Sequence, residues 1–162
     1  MLSHLEHLCI SKCDSLTSMT ALKIISIPEP TYFESGSTNF WKKLERPEIN
    51  NCKNLNYLWQ DGDLPTFLTS LFIENCPHFT SLMAMPPHLQ ELYIFKCDSP
   101  LASEFESGRF PTSLKSLQIV GCSGMVSVME TFVVEHRHIE NIYISNCKNL
   151  RSLEFNGFSQ LN

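Results

Sequence analysis

Seven cysteines and six histidines are the side chains of this 162-residue chain best suited to metal binding or nucleophilic chemistry. A zinc site needs converging ligands, and close pairs such as C-x-x-C supply them. No such pair occurs here. The nearest approach is His4, His7, Cys9 and Cys13, an H-x-x-H-x-C-x-x-x-C cluster. On a strand, alternation sends His7 and Cys9 outward together and leaves Cys13 inside, so the four do not converge. Cys9 is then an exposed thiol, open to reagents. His136 and His138 flank Arg137 near an expected helix end, where solvated cations are ordinary. Catalytic motifs are missing too: there is no G-x-S-x-G, no H-E-x-x-H and no glycine-rich phosphate loop. The carboxylates are dispersed. The reading is therefore no catalytic residue, no metal, no cofactor and no enzyme.

The other six cysteines carry a different message. The pattern L-x-x-L-x-I-x-x-C recurs from Leu5, Leu44, Leu68, Leu89, Leu114 and Ile139. Its copies end on Cys13, Cys52, Cys76, Cys97, Cys122 and Cys147. A period of roughly 20–30 residues with this spacing is the signature of a leucine-rich repeat. The expected fold is an α/β-type repeat: a right-handed leucine-rich-repeat solenoid. It would have a parallel concave sheet and a convex side of loops and short helices. Such solenoids present long surfaces, so the pattern points to binding. The cysteines are expected as small buried hydrophobes whose S–H groups bond carbonyls of the neighbouring coil.

Each copy dictates a short strand. In Leu68-Thr-Ser-Leu71-Phe-Ile73-Glu-Asn-Cys76, Leu71 and Ile73 point inward while Ser70, Phe72 and Glu74 point outward. Strands are expected near 8–11, 48–51, 71–74, 92–95, 117–120 and 142–145, all parallel. Pro47 takes an inward position and lacks an N–H, so its ladder should lose a bond. After each cysteine a second apolar stretch follows, as in Cys52-x-x-Leu55-x-x-Leu58; in the fourth copy Pro100 displaces the leucine to Leu101. Each coil thus offers a handful of inward side chains worth roughly 1.5–3 kcal/mol apiece. Ordering its backbone costs roughly 1–2 kcal/mol per residue, so one coil alone loses and must stack.

The cysteine spacings are 39, 24, 21, 25 and 25. The first is too long for one coil. A degenerate seventh repeat is read near 22–30, with a strand near 25–27, followed by an irregular insertion over 31–43. Pro65, Pro86 and Pro111 mark short connections. Only Met129–His138 is long and free enough of Gly and Pro for a helix. The whole chain, 1–162, reads as one repeat domain open at both ends, which predicts marginal stability.

Charge excludes some partners. Twelve basic residues against 17 acidic ones give −5, with no Lys/Arg run, which argues against nucleic acid. No apolar stretch is long enough for a membrane span, and no signal peptide is read. With the unpaired cysteine pattern this favours a reducing, cytoplasmic setting.

The repeat L-x-x-L-x-I-x-x-C-x-x-L-x-x-L, with Pro111-Thr-Ser-Leu-Lys-Ser-Leu117 leading into a strand, resembles the C-terminal repeats of plant nucleotide-binding leucine-rich-repeat disease-resistance proteins. The coiled-coil class is the nearest in character, and the likeness runs over nearly the whole chain. It implies a role in defence. The repeats would sense a pathogen effector or hold the receptor's own ATPase module closed. The ATPase module itself has no counterpart here, since no Gly-x-x-x-x-Gly-Lys loop is present. The rival reading is a substrate-recruiting repeat domain of a ubiquitin-ligase adaptor. It needs an adaptor-binding helical motif at the N-terminus, and none is read.

The outward positions give the candidate site. The central column reads Cys9, Glu48, Phe72, Tyr93, Gln118, Tyr143, and the next reads Ser11, Asn50, Glu74, Phe95, Val120, Ser145. Phe72, Tyr93 and Phe95 become neighbours flanked by Glu74 and Glu91. Aromatic side chains rimmed by charge are how a protein-binding surface looks. Phe72, Glu74, Glu91, Tyr93, Phe95, Gln118 and Tyr143 are the expected contact residues for a protein ligand.

Overall fold

The structure is a computed structural model that describes residues 6–19, 44–59, 65–82, 84–98, 100–101, 104–105, 109–125, 127–128 and 138–153. Eight strands follow in chain order: β1 (His7–Ser11), β2 (Arg46–Asn50), β3 (Ser70–Glu74), β4 (Glu91–Phe95), β5 (Ser116–Val120), β6 (Ser127–Val128), β7 (Asn141–Ser145) and β8 (Ser152–Leu153). Six of them make one parallel sheet in the order β1-β2-β3-β4-β5-β7. Helix is almost absent among the described residues, with α-helix at 104–105 and 3-10 geometry at Met19. No helix among them is long and apolar enough to cross a membrane.

The strands form where alternation expects them, starting one or two residues earlier than anticipated. Leu71/Ile73, Leu92/Ile94 and Leu117/Ile119 are fully buried. Before each strand, the carbonyl of the entry residue accepts two N–H groups from the next repeat: Glu45 takes Thr69 and Ser70, Thr69 takes Gln90 and Glu91, and Gln90 takes Lys115 and Ser116. This doubled acceptor fixes the register five times over. The leading leucines, Leu44, Leu68, Leu89 and Leu114, close the core beneath it.

Pro47 shortens the ladder as its chemistry requires. Lys12, Asn51, Asn75, Lys96 and Gly121 share the inward phase of their strands, and each donates forward to a carbonyl of the following strand. Pro47 lies in that phase and has no N–H to donate. The β2–β3 register accordingly begins only at Glu48↔Phe72, whereas β3–β4 pairs from Ser70↔Glu91.

Those donors are also a column of left-handed residues. Lys12, Asn51, Asn75, Lys96, Gly121 and Asn146 all have φ between 52° and 71°. Each immediately precedes a cysteine, and the turn lets the chain leave the strand and carry that cysteine inside. Asparagine and glycine tolerate this region, and lysine does so at a cost. Cys52, Cys76, Cys97 and Cys122 are then fully buried, while Cys13 on the edge repeat is exposed. Their thiols donate to the carbonyl two residues back in the same repeat, from Cys13 to Ser11 at 3.4 Å through Cys147 to Ser145 at 3.5 Å. The expected bond to a neighbouring coil is therefore corrected. The tight turn brings the strand's own last carbonyl nearer, and Cys147 also approaches a neighbouring carbonyl, Ile119, at 4.0 Å. Toward the preceding repeat, the sulfurs of Cys52, Cys76, Cys97 and Cys122 meet the backbone of Cys13, Cys52, Cys76 and Cys97.

Beyond the cysteine the chain turns again. The amides of Leu16, Leu55, Phe79 and Leu150 each donate to the cysteine carbonyl three residues back. In the fourth repeat Pro100 holds that position without an amide. Both Pro100 and Leu101 are buried, and Leu101, at φ 58°, donates its amide to Thr80. A second, smaller ladder runs on this side: Ser18↔Tyr57↔Ser81 as single bridges, then β6 with β8. Next to Ser81 the buried Glu104 carboxylate accepts the Ser81 hydroxyl at 2.7 Å and the Leu82 amide at 2.9 Å.

The expected seventh strand near 25–27, the 31–43 insertion and most of the Met129–His138 helix lie outside the described residues. β1 pairs directly with β2 over all five positions, His7↔Arg46 to Ser11↔Asn50. No other strand of the sheet stands between these two.

Candidate functional site

The outward face of the sheet is a grid whose rows are strands and whose columns are register partners. Its central column is Cys9↔Glu48↔Phe72↔Tyr93↔Gln118↔Tyr143, and the next is Ser11↔Asn50↔Glu74↔Phe95↔Val120↔Ser145. Both agree with the sequence reading residue for residue, because side-chain alternation and the cysteine phase together allow one register only.

Phe72, Tyr93 and Phe95 come together, each half-buried. Phe72 and Phe95 stack with ring centroids 5.2 Å apart and planes at 29°. Phe72 and Tyr93 meet at 6.5 Å and 41°. Offset arrangements of this kind hold rings rigid at little entropic cost. Tyr143 stands apart from this group, beyond Gln118 and 56% exposed.

The two flanking carboxylates are not equivalent. Glu74, the register partner of Phe95, sits 3.2 Å from the Lys96 ammonium. The left-handed turn at Lys96 aims that side chain back along the sheet. Glu91 lies on the first outward column between Ser70 and Ser116, two residues before Tyr93. It is exposed and has no ion-pair partner among the described residues. Sequence reasoning missed Lys96. The signal was available: lysine occupies the position before Cys97, as Lys12 does in the first copy, where the other four place asparagine or glycine.

At the β1 edge, His7 Nε2 lies 3.1 Å from Glu48 Oε1, and Asn50 reaches Cys9 Sγ at 4.0 Å. His4 and His136 fall outside the described residues, and His138 is exposed. No group of three or more metal-ligating side chains converges among the described residues. The buried thiols are poor nucleophiles. Burial raises Cys76 and Cys122 from the ordinary 9.0 to about 11, and raises Cys52 and Cys97 as well. The face can offer shape, aromatic area and charge to a partner. No protein-family model matches the chain, and neither curated proteins nor solved structures give a match.

Proposed function

We propose that this chain is a leucine-rich-repeat solenoid serving as the protein-recognition region of a plant intracellular immune receptor of the coiled-coil nucleotide-binding class. Its outward sheet face would be the concave surface. That face binds a pathogen effector or holds the receptor's ATPase module closed, and the chain carries no catalytic step of its own. The observation that carries the binding role is the stacked Phe72–Phe95 pair with Tyr93 at outward positions of the sheet, where solubility alone favours polar residues. Desolvating such rings gives a partner more energy per side chain than the serines and asparagines around them. The receptor assignment rests on the repeat pattern and its resemblance. Sequencing the transcript upstream of Met1 tests it. An in-frame ATPase module with a Gly-x-x-x-x-Gly-Lys loop is expected, and an upstream adaptor-binding helical motif in its place would overturn it.

A further inference from the structure

The outward face is uneven in charge. On β3, β4, β5 and β7 it carries two carboxylates, Glu74 and Glu91, and no cation within the strands. Lys96, just beyond β4, is committed to Glu74. Glu48 on β2 has His7 beside it. Glu91 alone of the three is left without a counter-charge among the described residues. Its neighbours across the sheet are Ser70 and Ser116, small side chains that leave the space beside the carboxylate open.

Glu91 and Tyr93 share a strand and project to the same side, so the distance between their Cα atoms is about 6.5–7 Å. Phe72 adjoins Tyr93, and Phe95 stacks on Phe72. An open carboxylate therefore stands at one end of a half-buried aromatic shelf. Three ligand features fit this: a planar or compact cation for the carboxylate, a quadrupole-matched positive edge for the ring faces, and an aliphatic stem to cover the apolar area. An arginine side chain combines all three, with a planar fork that pairs with carboxylates and stacks on rings. A neutral or acidic side chain leaves Glu91 desolvated without compensation, which is unfavourable.

We infer that the shelf formed by Phe72, Tyr93 and Phe95 with Glu91 receives an arginine from a basic segment of the protein partner. This rests on the reading of the outward face as the binding surface. Glu91 gives the site its charge selectivity, the rings give it area, and the Glu74–Lys96 pair closes the far side without adding net charge.

The test uses the full chain, isotope-labelled on its aromatic rings, and three capped seven-residue peptides. The peptides differ only at a central position between two leucines: arginine, citrulline or norleucine. Citrulline keeps the shape of arginine and lacks its charge. The expected result is that the arginine peptide shifts the Phe72, Tyr93 and Phe95 signals. It should bind at least about threefold more tightly than the citrulline peptide, a margin typical of one exposed ion pair with a cation–π contact. Glu91→Gln should abolish that preference while leaving the ring spectrum of the free chain unchanged. Added salt should weaken the arginine peptide selectively. If all three peptides move the rings equally, or Glu91→Gln leaves the preference intact, the arginine inference fails and the binding face stands. If no peptide moves the rings, both fail.

Discussion

Phe72 stacks most closely on Phe95, which is not its partner across the sheet. Its register partner is Tyr93, whose ring centre is 6.5 Å away, against 5.2 Å for Phe95. Phe95 lies one pleat further along β4, on the diagonal. Long side chains reach such diagonal neighbours readily. The result is a continuous aromatic shelf running obliquely across two strands, where a straight column would give separate rings.

The buried Glu104 should be a stability determinant. Replacing it with alanine strands the Leu82 amide and removes an acceptor of the Ser81 hydroxyl. Leaving a buried donor unsatisfied costs about 1–3 kcal/mol, more when a charged acceptor is lost. Glu104→Ala is expected to lower the denaturation midpoint accordingly, and Glu104→Gln, which keeps an acceptor oxygen, to lower it less. Two variants as stable as the parent chain would show that this carboxylate does not hold the second ladder.

The left-handed column predicts opposite effects at two of its members. Lys12 sits at φ 57° and Gly121 at φ 71°. Lys12→Gly should raise stability by up to about 1 kcal/mol, the relief of a strained conformation less the extra freedom glycine gives the unfolded chain. Gly121→Ala should cost about 1 kcal/mol through its backbone alone, since the added methyl would meet only ordinary contact with Lys96 Cγ at 3.5 Å. Urea unfolding of both variants decides the matter, and a stabilising Gly121→Ala would refute it.

The parallel sheet was legible because two signals agree. The Leu/Ile alternation defines inward and outward and the cysteine phase defines the register, and both recur in every copy, with Pro47 the one departure from the alternation. What stayed hidden depends on exceptions to the repeat. Glu104 belongs to no recurring position, so no periodicity marks it as buried. Pro100 announces a disturbance, yet which residue fills the gap and which group satisfies the neighbouring ladder follow from packing. The left-handed column was present in the sequence as Asn51, Asn75, Gly121 and Asn146. It was masked by Lys12 and Lys96, which do not favour that conformation. At the site, alternation places Phe72, Tyr93 and Phe95 on one face, but only ring geometry tells which pair stacks.

The thiols should separate by reactivity. Cys9 and Cys13 are exposed, whereas Cys52, Cys76, Cys97 and Cys122 are buried. In the folded chain an alkylating reagent should label the first two quickly and the four buried thiols only on unfolding. Under denaturing, non-reducing conditions seven free thiols are expected, and a count near one would mean three bridges. The same thiols make stability pH-dependent. Burial holds Cys76 and Cys122 protonated up to about 11, while the unfolded chain releases these protons from about 9 upward. Unfolding is then favoured as pH rises, so the contribution of these thiols should be constant below about pH 8.5 and fall progressively between about 9 and 11. A midpoint that rises over that range would contradict the burial of these groups.

Binding by the aromatic face is the central claim, and one comparison tests it most directly. The affinity of the chain for a proposed partner, an ATPase module or a pathogen effector, is measured for five variants. Phe72→Ala, Tyr93→Ala and Phe95→Ala remove the shelf; Glu6→Ala and Lys115→Ala change exposed residues away from it. Truncating a central aromatic typically costs at least about 2 kcal/mol of binding, a loss of about thirtyfold. The three aromatic variants should each weaken binding by about that factor, with the two controls close to the parent chain. Equal binding by all five, with folding intact, would place the recognition surface elsewhere on the molecule.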